Sequence, residues 1–180
     1  MKSLHNHIIL IGFKHTGKSI IGKNLAKTLE VPFIDLDNII ELAYENKTKQ
    51  KLTCRKIMQN EGVQFFRHIE TQALLQVINA KPSIISLGGG TPMSYENQRL
   101  IKPYLLVHIT APKGIVYERI VMNGHPAFMN PEEDLFETFN RLWNERISIY
   151  EKIEDFSILN DSTVQESIQK ITQKLIANRP

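Results

Sequence analysis

The chain has 180 residues, 42% hydrophobic and 23% charged, and 22 basic against 19 acidic side chains leave a formal net charge of +3. That length suits one domain with a proper core, and the small charge, with Lys and Arg spread out and no block of five or more, does not indicate nucleic acid as a partner. The single Cys54 rules out an internal disulfide and a multi-cysteine zinc site, Met1 to His7 is too short and polar for a signal peptide, and no apolar run approaches the ~18 residues of a membrane span. A cytoplasmic enzyme or binding protein with no membrane partner is the expectation.

Strand signals alternate with helix signals along the chain. The expected strands are His7–Ile11, Phe33–Leu36, Ser83–Leu87, Tyr104–Ile109 and Phe156–Leu159. A helix from Ile20 to Leu29 carries Ile21, Leu25 and Leu29 at helical spacing, and another holds Ile39, Ile40 and Ala43. Val63, Phe66, Ile69, Ala73, Leu74, Val77 and Ile78 mark the clearest helical face, and Leu135, Phe139, Leu142, Trp143, Ile149 and Tyr150 mark a later one. Ser162 and Thr163, followed three residues later by Gln165 and Glu166, announce a last helix from Val164 to Ile176. The polar stretch Met122 to Asp134, with Gly124, Pro126 and Pro131, reads as a long loop. This order predicts an α/β three-layer sandwich, a five-stranded parallel sheet with helices on both faces. No repeat or linker divides residues 1–180, which read as one domain.

Gly12 to Ser19 read Gly-Phe-Lys-His-Thr-Gly-Lys-Ser, matching the pattern G-x-x-x-x-G-K-[ST] directly after the apolar run Ile8 to Ile11. Glycines let the backbone curl so that several N–H groups face one anion, and the following helix adds its dipole at the same spot. Lys18 would then reach the β- and γ-phosphates of a nucleoside triphosphate, and Ser19 would hold Mg²⁺. The competing reading is a plain glycine turn with Lys18 solvated.

Ligands of open parallel sheets sit beyond the carboxyl ends of the strands, so residues following strands carry weight. Asp35 and Asp37 after the second strand lie on one face if the segment is extended; one suits the water shell of Mg²⁺ and the other a substrate hydroxyl's proton. Equally, Asp37 or Asn38 could cap the next helix. Gly88, Gly89 and Gly90 after the third strand suit close approach by a small polar ligand, or a flexible turn. Arg67 could grip a substrate carboxylate, or pair with Glu70 one turn on. Arg146 falls on the apolar stripe of Phe139, Leu142, Trp143 and Tyr150, where a guanidinium needs an anion, either a ligand or a structural carboxylate.

This ordered set resembles the shikimate kinase family across nearly the whole chain: the loop Gly12–Ser19, Phe33-Ile34-Asp35-Leu36-Asp37, Gly62 with Phe66-Arg67-His68-Ile69-Glu70, Leu87-Gly88-Gly89-Gly90, and Arg146 with Tyr150. The resemblance implies a nucleoside-monophosphate-kinase-like P-loop fold with a mobile lid at about 122–134. It also implies a monomer that transfers the γ-phosphoryl group of ATP to the 3-hydroxyl of shikimate. On that likeness Asp37 binds the acceptor hydroxyl and takes its proton, and Arg67 and Arg146 hold the shikimate carboxylate with Gly88, Gly89 and Gly90 opposite. Gly12, Lys14, His15, Thr16, Gly17, Lys18, Ser19 and Ile20 form the nucleotide loop, Lys18 stabilises phosphate charge, and Ser19 and Asp35 serve Mg²⁺. Arg119 resembles the adenine-stacking arginine, and Asn160 to Thr163 close the base pocket.

Three positions depart from the family. Its lid carries an arginine before a proline and a leucine, whereas this chain reads Gly124-His125-Pro126-Ala127-Phe128, with no arginine between Arg119 and Arg141. His125 therefore takes the place of a cation, and a neutral imidazole offers one donor and little charge near neutral pH. Lys14-His15 replaces a methionine and a small residue, so that Lys14 can supply a cation from the opposite side, and Val63 stands where glutamate is common. Besides a working kinase, two readings stay open: a nucleotide-binding protein with weakened catalysis, and a kinase for another small hydroxy acid.

Overall fold

The computed structural model describes residues 6–123 and 134–177. Five strands, β1 (Ile8–Ile11), β2 (Phe33–Asp35), β3 (Ile84–Ser86), β4 (Leu105–Thr110) and β5 (Phe156–Leu159), form one all-parallel sheet in the order β2-β3-β1-β4-β5. Helices connect them: α1 (Lys18–Leu29), α2 (Leu36–Thr48), α3 (Cys54–Glu61), α4 (Val63–Ile78), α5 (Tyr95–Ile101), α6 (Lys113–Met122), α7 (Leu135–Ile153) and α8 (Val164–Ala177). The expected α/β sandwich is the observed architecture.

Both faces of the sheet are covered, which is why β1 is an unbroken apolar run and β3 is buried at every residue rather than at alternate ones. Side chains still alternate between faces. Ile8 and Leu10 join Val107, Ile109, Phe156 and Ile158 beneath Ile21 and Leu25 of α1 and Ile168 and Ile171 of α8. Ile9, Ile11, Ile85 and Leu106 pack on the other side against Leu36, Phe66, Leu74, Phe139 and Tyr150. The central strands β1 and β3 thus release their chains at the same edge, and the phosphate loop and the glycine triplet emerge next to each other.

Two local results differ from the sequence expectation. The second strand stops at Asp35, and Leu36 already belongs to α2, so Asp35 and Asp37 do not alternate along an extended segment. Helix capping does occur there, but at Asp35, whose Oδ1 accepts from Asp37 N at 3.2 Å. The short helices α3 and α5 were not legible: α3 buries a single apolar side chain, Ile57, and depends on Thr53, whose Oγ1 accepts from Lys56 N at 3.4 Å, while α5 spans seven residues behind the Ser94 cap. The segment read as a loop from Met122 to Asp134 lies between two helices as expected, with α6 ending at Met122 and Asp134 Oδ1 capping α7 by accepting from Glu137 N at 2.8 Å, and the expected lid falls on residues 124–133, outside the described ones. His125 lies outside the described residues. Thr163 does cap α8, accepting from Glu166 N at 3.2 Å. Among the described residues no helix is long and apolar enough to cross a membrane.

Gly22 shows how tightly α1 sits on the sheet. A Cβ there would lie 2.7 Å from Phe33 Cε2 and 2.8 Å from Leu10 Cδ1. Alanine gains about 1 kcal/mol in helix propensity, but overpacking costs about 1–3 kcal/mol. Gly22→Ala is expected to destabilise the fold by about 1 kcal/mol net in urea unfolding; a stabilised variant would contradict this packing.

Candidate functional site

The phosphate loop is shaped by backbone conformations that side chains rarely adopt. Gly12 has φ +139° and lies so close to the Ile109 carbonyl that a Cβ would overlap it, while His15 and Gly17 have φ +65° and +98°. The curl is pinned both from within and from outside. Thr16 Oγ1 donates to Phe13 O at 2.9 Å, Asn160 Nδ2 to Thr16 O at 2.9 Å, and Arg119 Nη1 to His15 O at 2.7 Å. Gly17 supplies no side-chain cap to α1, which leaves first-turn N–H groups available to an anion.

Lys18 at the start of α1 is buried, and its Nζ donates to Gly12 O at 2.9 Å and Phe13 O at 2.8 Å. It is not the solvated lysine of a plain turn. Burial lowers its pKa to about 8, against the pull of the Asp37 and Asp35 carboxylates. Ser19 Oγ donates to Asp35 Oδ2 at 2.6 Å, so one carboxylate caps α2 and also meets the loop's hydroxyl. Ile20 is 51% exposed on the outer side of α1.

A cavity of about 100 Å³ opens beside the loop. Its walls include Lys14 from the loop, Asp37 from α2, Arg67 and Glu70 from α4, Gly88 to Gly90 after β3, and Arg146 from α7. Burial, then the Asp35 carboxylate and more weakly Glu70 and Glu41, raise the Asp37 pKa to about 6, while Lys18 opposes the shift. A larger groove of about 490 Å³ lies between α2 and α4, lined by Ile40, Tyr44, Phe65 and Ile69. It holds none of the phosphate-loop or strand-end residues, whereas charged side chains line the smaller cavity.

The two arginines reach this cavity differently. Arg67 Nη1 pairs with Glu70 Oε2 at 2.6 Å, the structural partner anticipated for it, yet that pairing also aims the guanidinium at the glycine triplet: a Cβ on Gly90 would lie 2.6 Å from Nη2. Glu70 is 2% exposed, and its Oε1 accepts from Thr91 Oγ1 at 2.7 Å, which fixes the carboxylate in turn. Arg146 is buried over the Phe13 ring, its Cζ 5.3 Å from the ring centroid, and lies beside the Tyr150 hydroxyl. Desolvation lowers its pKa. Tyr150 donates to Gly89 O at 2.5 Å, so α7 grips the triplet while presenting Arg146.

Asp37, Arg67, Gly88 to Gly90 and Arg146 therefore converge on one cavity, while Asp35 meets Ser19 and Arg119 and Asn160 support the loop outside it. Sequence reasoning missed three contributors: the orienting role of Glu70, the α3 wall of Cys54, Arg55 and Met58, and the Tyr150 hydroxyl. The Arg67-to-Glu70 spacing was a readable signal for the first; the α3 wall was hidden with its helix.

The family model for shikimate kinase matches residues 15–176. A shikimate kinase from Flavobacterium johnsoniae is 30% identical over 91% of this chain and 95% of its own, and one from Thermodesulfovibrio yellowstonii is 32% identical over 93% and 94%. Among solved structures, shikimate kinase from Acinetobacter baumannii in complex with shikimate superposes with a TM-score of 0.83 at 25% identity, covering 97% of this chain and 94% of that one. Shikimate kinase from Aquifex aeolicus gives 0.79 at 27% identity, covering 96% and 97%. With this sheet order, phosphate loop and strand-end cavity, and with that family match over most of its length, the chain belongs to the shikimate kinase family.

Proposed function

We propose that the chain acts as one kinase domain that phosphorylates the 3-hydroxyl of shikimate with ATP, with the site residues in the roles below. The observation that carries this is the single cavity that joins Asp37, Arg67 and Arg146 beside the phosphate loop. A carboxylate for a hydroxyl and two guanidiniums for a carboxylate make a site for a hydroxy acid. Retention of that clamp supports the kinase over a non-catalytic nucleotide binder, since nucleotide binding alone has no use for it. The shikimate-bound relative favours shikimate over another hydroxy acid.

In the proposed reaction the acceptor oxygen attacks the γ-phosphorus, the bond from that phosphorus to the β,γ-bridging oxygen breaks, and ADP leaves. Asp37 takes the hydroxyl proton; its raised pKa makes it a stronger base than an ordinary carboxylate while leaving it ionised at neutral pH. Lys18 moves from the Gly12 and Phe13 carbonyls onto the β- and γ-phosphates, and the loop N–H groups and α1 dipole hold the anion. Thr16, Gly17 and Ser19 shape that cradle, and Arg119 flanks the base side. Ser19 and Asp35 fit Mg²⁺, because a hydroxyl and a carboxylate 2.6 Å apart are hard oxygen donors and Mg²⁺ needs only one or two protein oxygens besides water and phosphate. When bound, the ion neutralises charge on the phosphate oxygens. Arg67 and Arg146 orient the acceptor carboxylate, which turns the hydroxyl toward the γ-phosphate. Lys14, on the cavity wall, adds a cation near the transferring group. A monomeric, cytoplasmic protein acting on small molecules completes the proposal.

Shikimate-dependent ADP release should be present in the wild type and fall by about 10²–10⁴-fold in Asp37→Asn, with ATP binding retained. Acceptor kcat/KM should rise with pH through about 6 as Asp37 ionises and fall above about 8 as Lys18 loses its proton. A wild type without shikimate-dependent turnover that still binds ATP would refute the kinase reading. Lys14→Met should lower kcat by about tenfold with a smaller effect on ATP affinity, and undiminished turnover would remove Lys14 from the mechanism.

A further inference from the structure

His108 is a charged-capable side chain in the middle of a central strand, a place that normally holds an aliphatic residue. It is 3% exposed and lies on the face of β4 that packs under α7. Its Nδ1 lies 2.6 Å from Glu154 Oε2, at the C-terminal cap of α7. An ionised carboxylate at that distance requires Nδ1 to donate, so in a neutral ring Nε2 carries the lone pair. Among the described residues Nε2 has no hydrogen-bond partner. The adjoining Cδ2 edge faces the phosphate loop, since a Cβ on Gly12 would lie 3.2 Å from it.

The same ring packs on Tyr150, with centroids 5.1 Å apart. Tyr150 is the residue that donates to Gly89 O, and Arg146 precedes it by one turn. Glu154 N donates to Tyr150 O at 2.9 Å, and the next residue, Asp155, ties the chain to Leu106 twice, by N to O at 3.0 Å and by Oδ2 accepting from Leu106 N at 2.7 Å. The end of α7 is thus fastened to β4 at two successive residues, Glu154 and Asp155, just after the turn that carries Arg146 and Tyr150. The Asp155 tie fixes the chain at the edge; the His108 tie lies directly beneath Tyr150. The other charged groups acting on His108 are Glu151 on α7 and Lys18 at the start of α1.

We propose that His108 and Glu154 form a positioning pair, in which the neutral ring, protonated at Nδ1 only, sets the register of Tyr150 and Arg146 against the glycine triplet and so governs affinity for the acceptor rather than for ATP. Burial lowers the His108 pKa more than the Glu154 carboxylate raises it, consistent with a neutral ring. Neither group touches the substrates; both act through α7. The pair deepens the kinase reading above and rests on it for the identity of the acceptor.

The test is steady-state kinetics of the full chain with shikimate and ATP varied separately. Glu154 is partly exposed at a helix end, so its truncation spares the core. Glu154→Ala is expected to raise the shikimate KM by about three- to tenfold, with kcat and the ATP KM within about twofold of wild type. Glu154→Gln keeps an acceptor for the Nδ1 proton and should restore the wild-type KM. His108→Phe keeps a ring against Tyr150 but removes the donor; it should match Glu154→Ala, and the double variant should be no worse than either single one. An unchanged shikimate KM in Glu154→Ala, or Glu154→Gln as impaired as Glu154→Ala, would overturn the proposal, because a purely structural pair would lower Tm without that pattern. A second arm uses no substrate. Nitrogen NMR of His108 at about pH 7 should show Nδ1 protonated and Nε2 bare, and the opposite tautomer or a charged ring would overturn the pair on its own. Failure of the kinase reading would look different: the wild type would show no shikimate-dependent turnover.

Discussion

The site depends on how closely the backbone after β3 approaches the phosphate loop after β1. A Cβ on Gly89 would stand 3.2 Å from Lys14 N and 3.4 Å from Gly12 O, which leaves room for a glycine and little else. On either side the triplet meets side chains of opposite charge, with Gly88 against Asp37 and Gly90 against Arg67. Three adjacent glycines cost about 0.5–1 kcal/mol each in chain entropy, and they are held in place by Tyr150 and by the 3₁₀ turn Thr91–Met93 that follows. A rigid sheet below and a side-chain-free loop above put the phosphate loop next to the cavity lined by Asp37, Arg67 and Arg146.

Charge follows from that geometry. Lys18, Asp37 and Arg146 lie in one desolvated region, and their pKa values move in the directions that burial dictates: down for the cations and up for the carboxylate. Partial compensation keeps each group usable. Lys18 is sheltered by two backbone carbonyls, Arg67 by Glu70, and Arg146 by Phe13 and Tyr150. Such groups are stabilised by neighbours in the free protein and can exchange them for phosphates and a substrate carboxylate with little rearrangement, which is the preorganisation that phosphoryl transfer relies on.

Much of this was legible in the sequence. The apolar runs gave all five strands to within a residue or so, because buried parallel strands are short and rich in apolar residues, and the motif after the first strand located the loop. Asp37, Arg67, Gly88 to Gly90 and Arg146, singled out in the sequence, line one cavity because the fold class brings the carboxyl ends of the strands together. Less was legible where the structure depends on local contacts between distant residues. Helix α3 has too little apolar surface to show a periodicity, yet it walls the cavity. The sequence suggested Asp37 or Asn38 as a cap, whereas Asp35 does that work, because the strand ends one residue earlier than its hydrophobic pattern implies. His108 and Glu154 are 46 residues apart, and no periodicity pairs them.

The central claim is that the glycine triplet is the shared floor of acceptor clamp and nucleotide loop, with Arg67 seated on Gly90. Calorimetric titration of Gly90→Ala with shikimate and, separately, with Mg·ATP addresses it most directly. Gly90 has φ −96°, so alanine is tolerated by the backbone, and the three atoms nearest its methyl all belong to the Arg67 guanidinium. The account predicts shikimate affinity weakened by about tenfold with Mg·ATP affinity unchanged. Undiminished shikimate affinity, or an equal loss for both ligands, would contradict it.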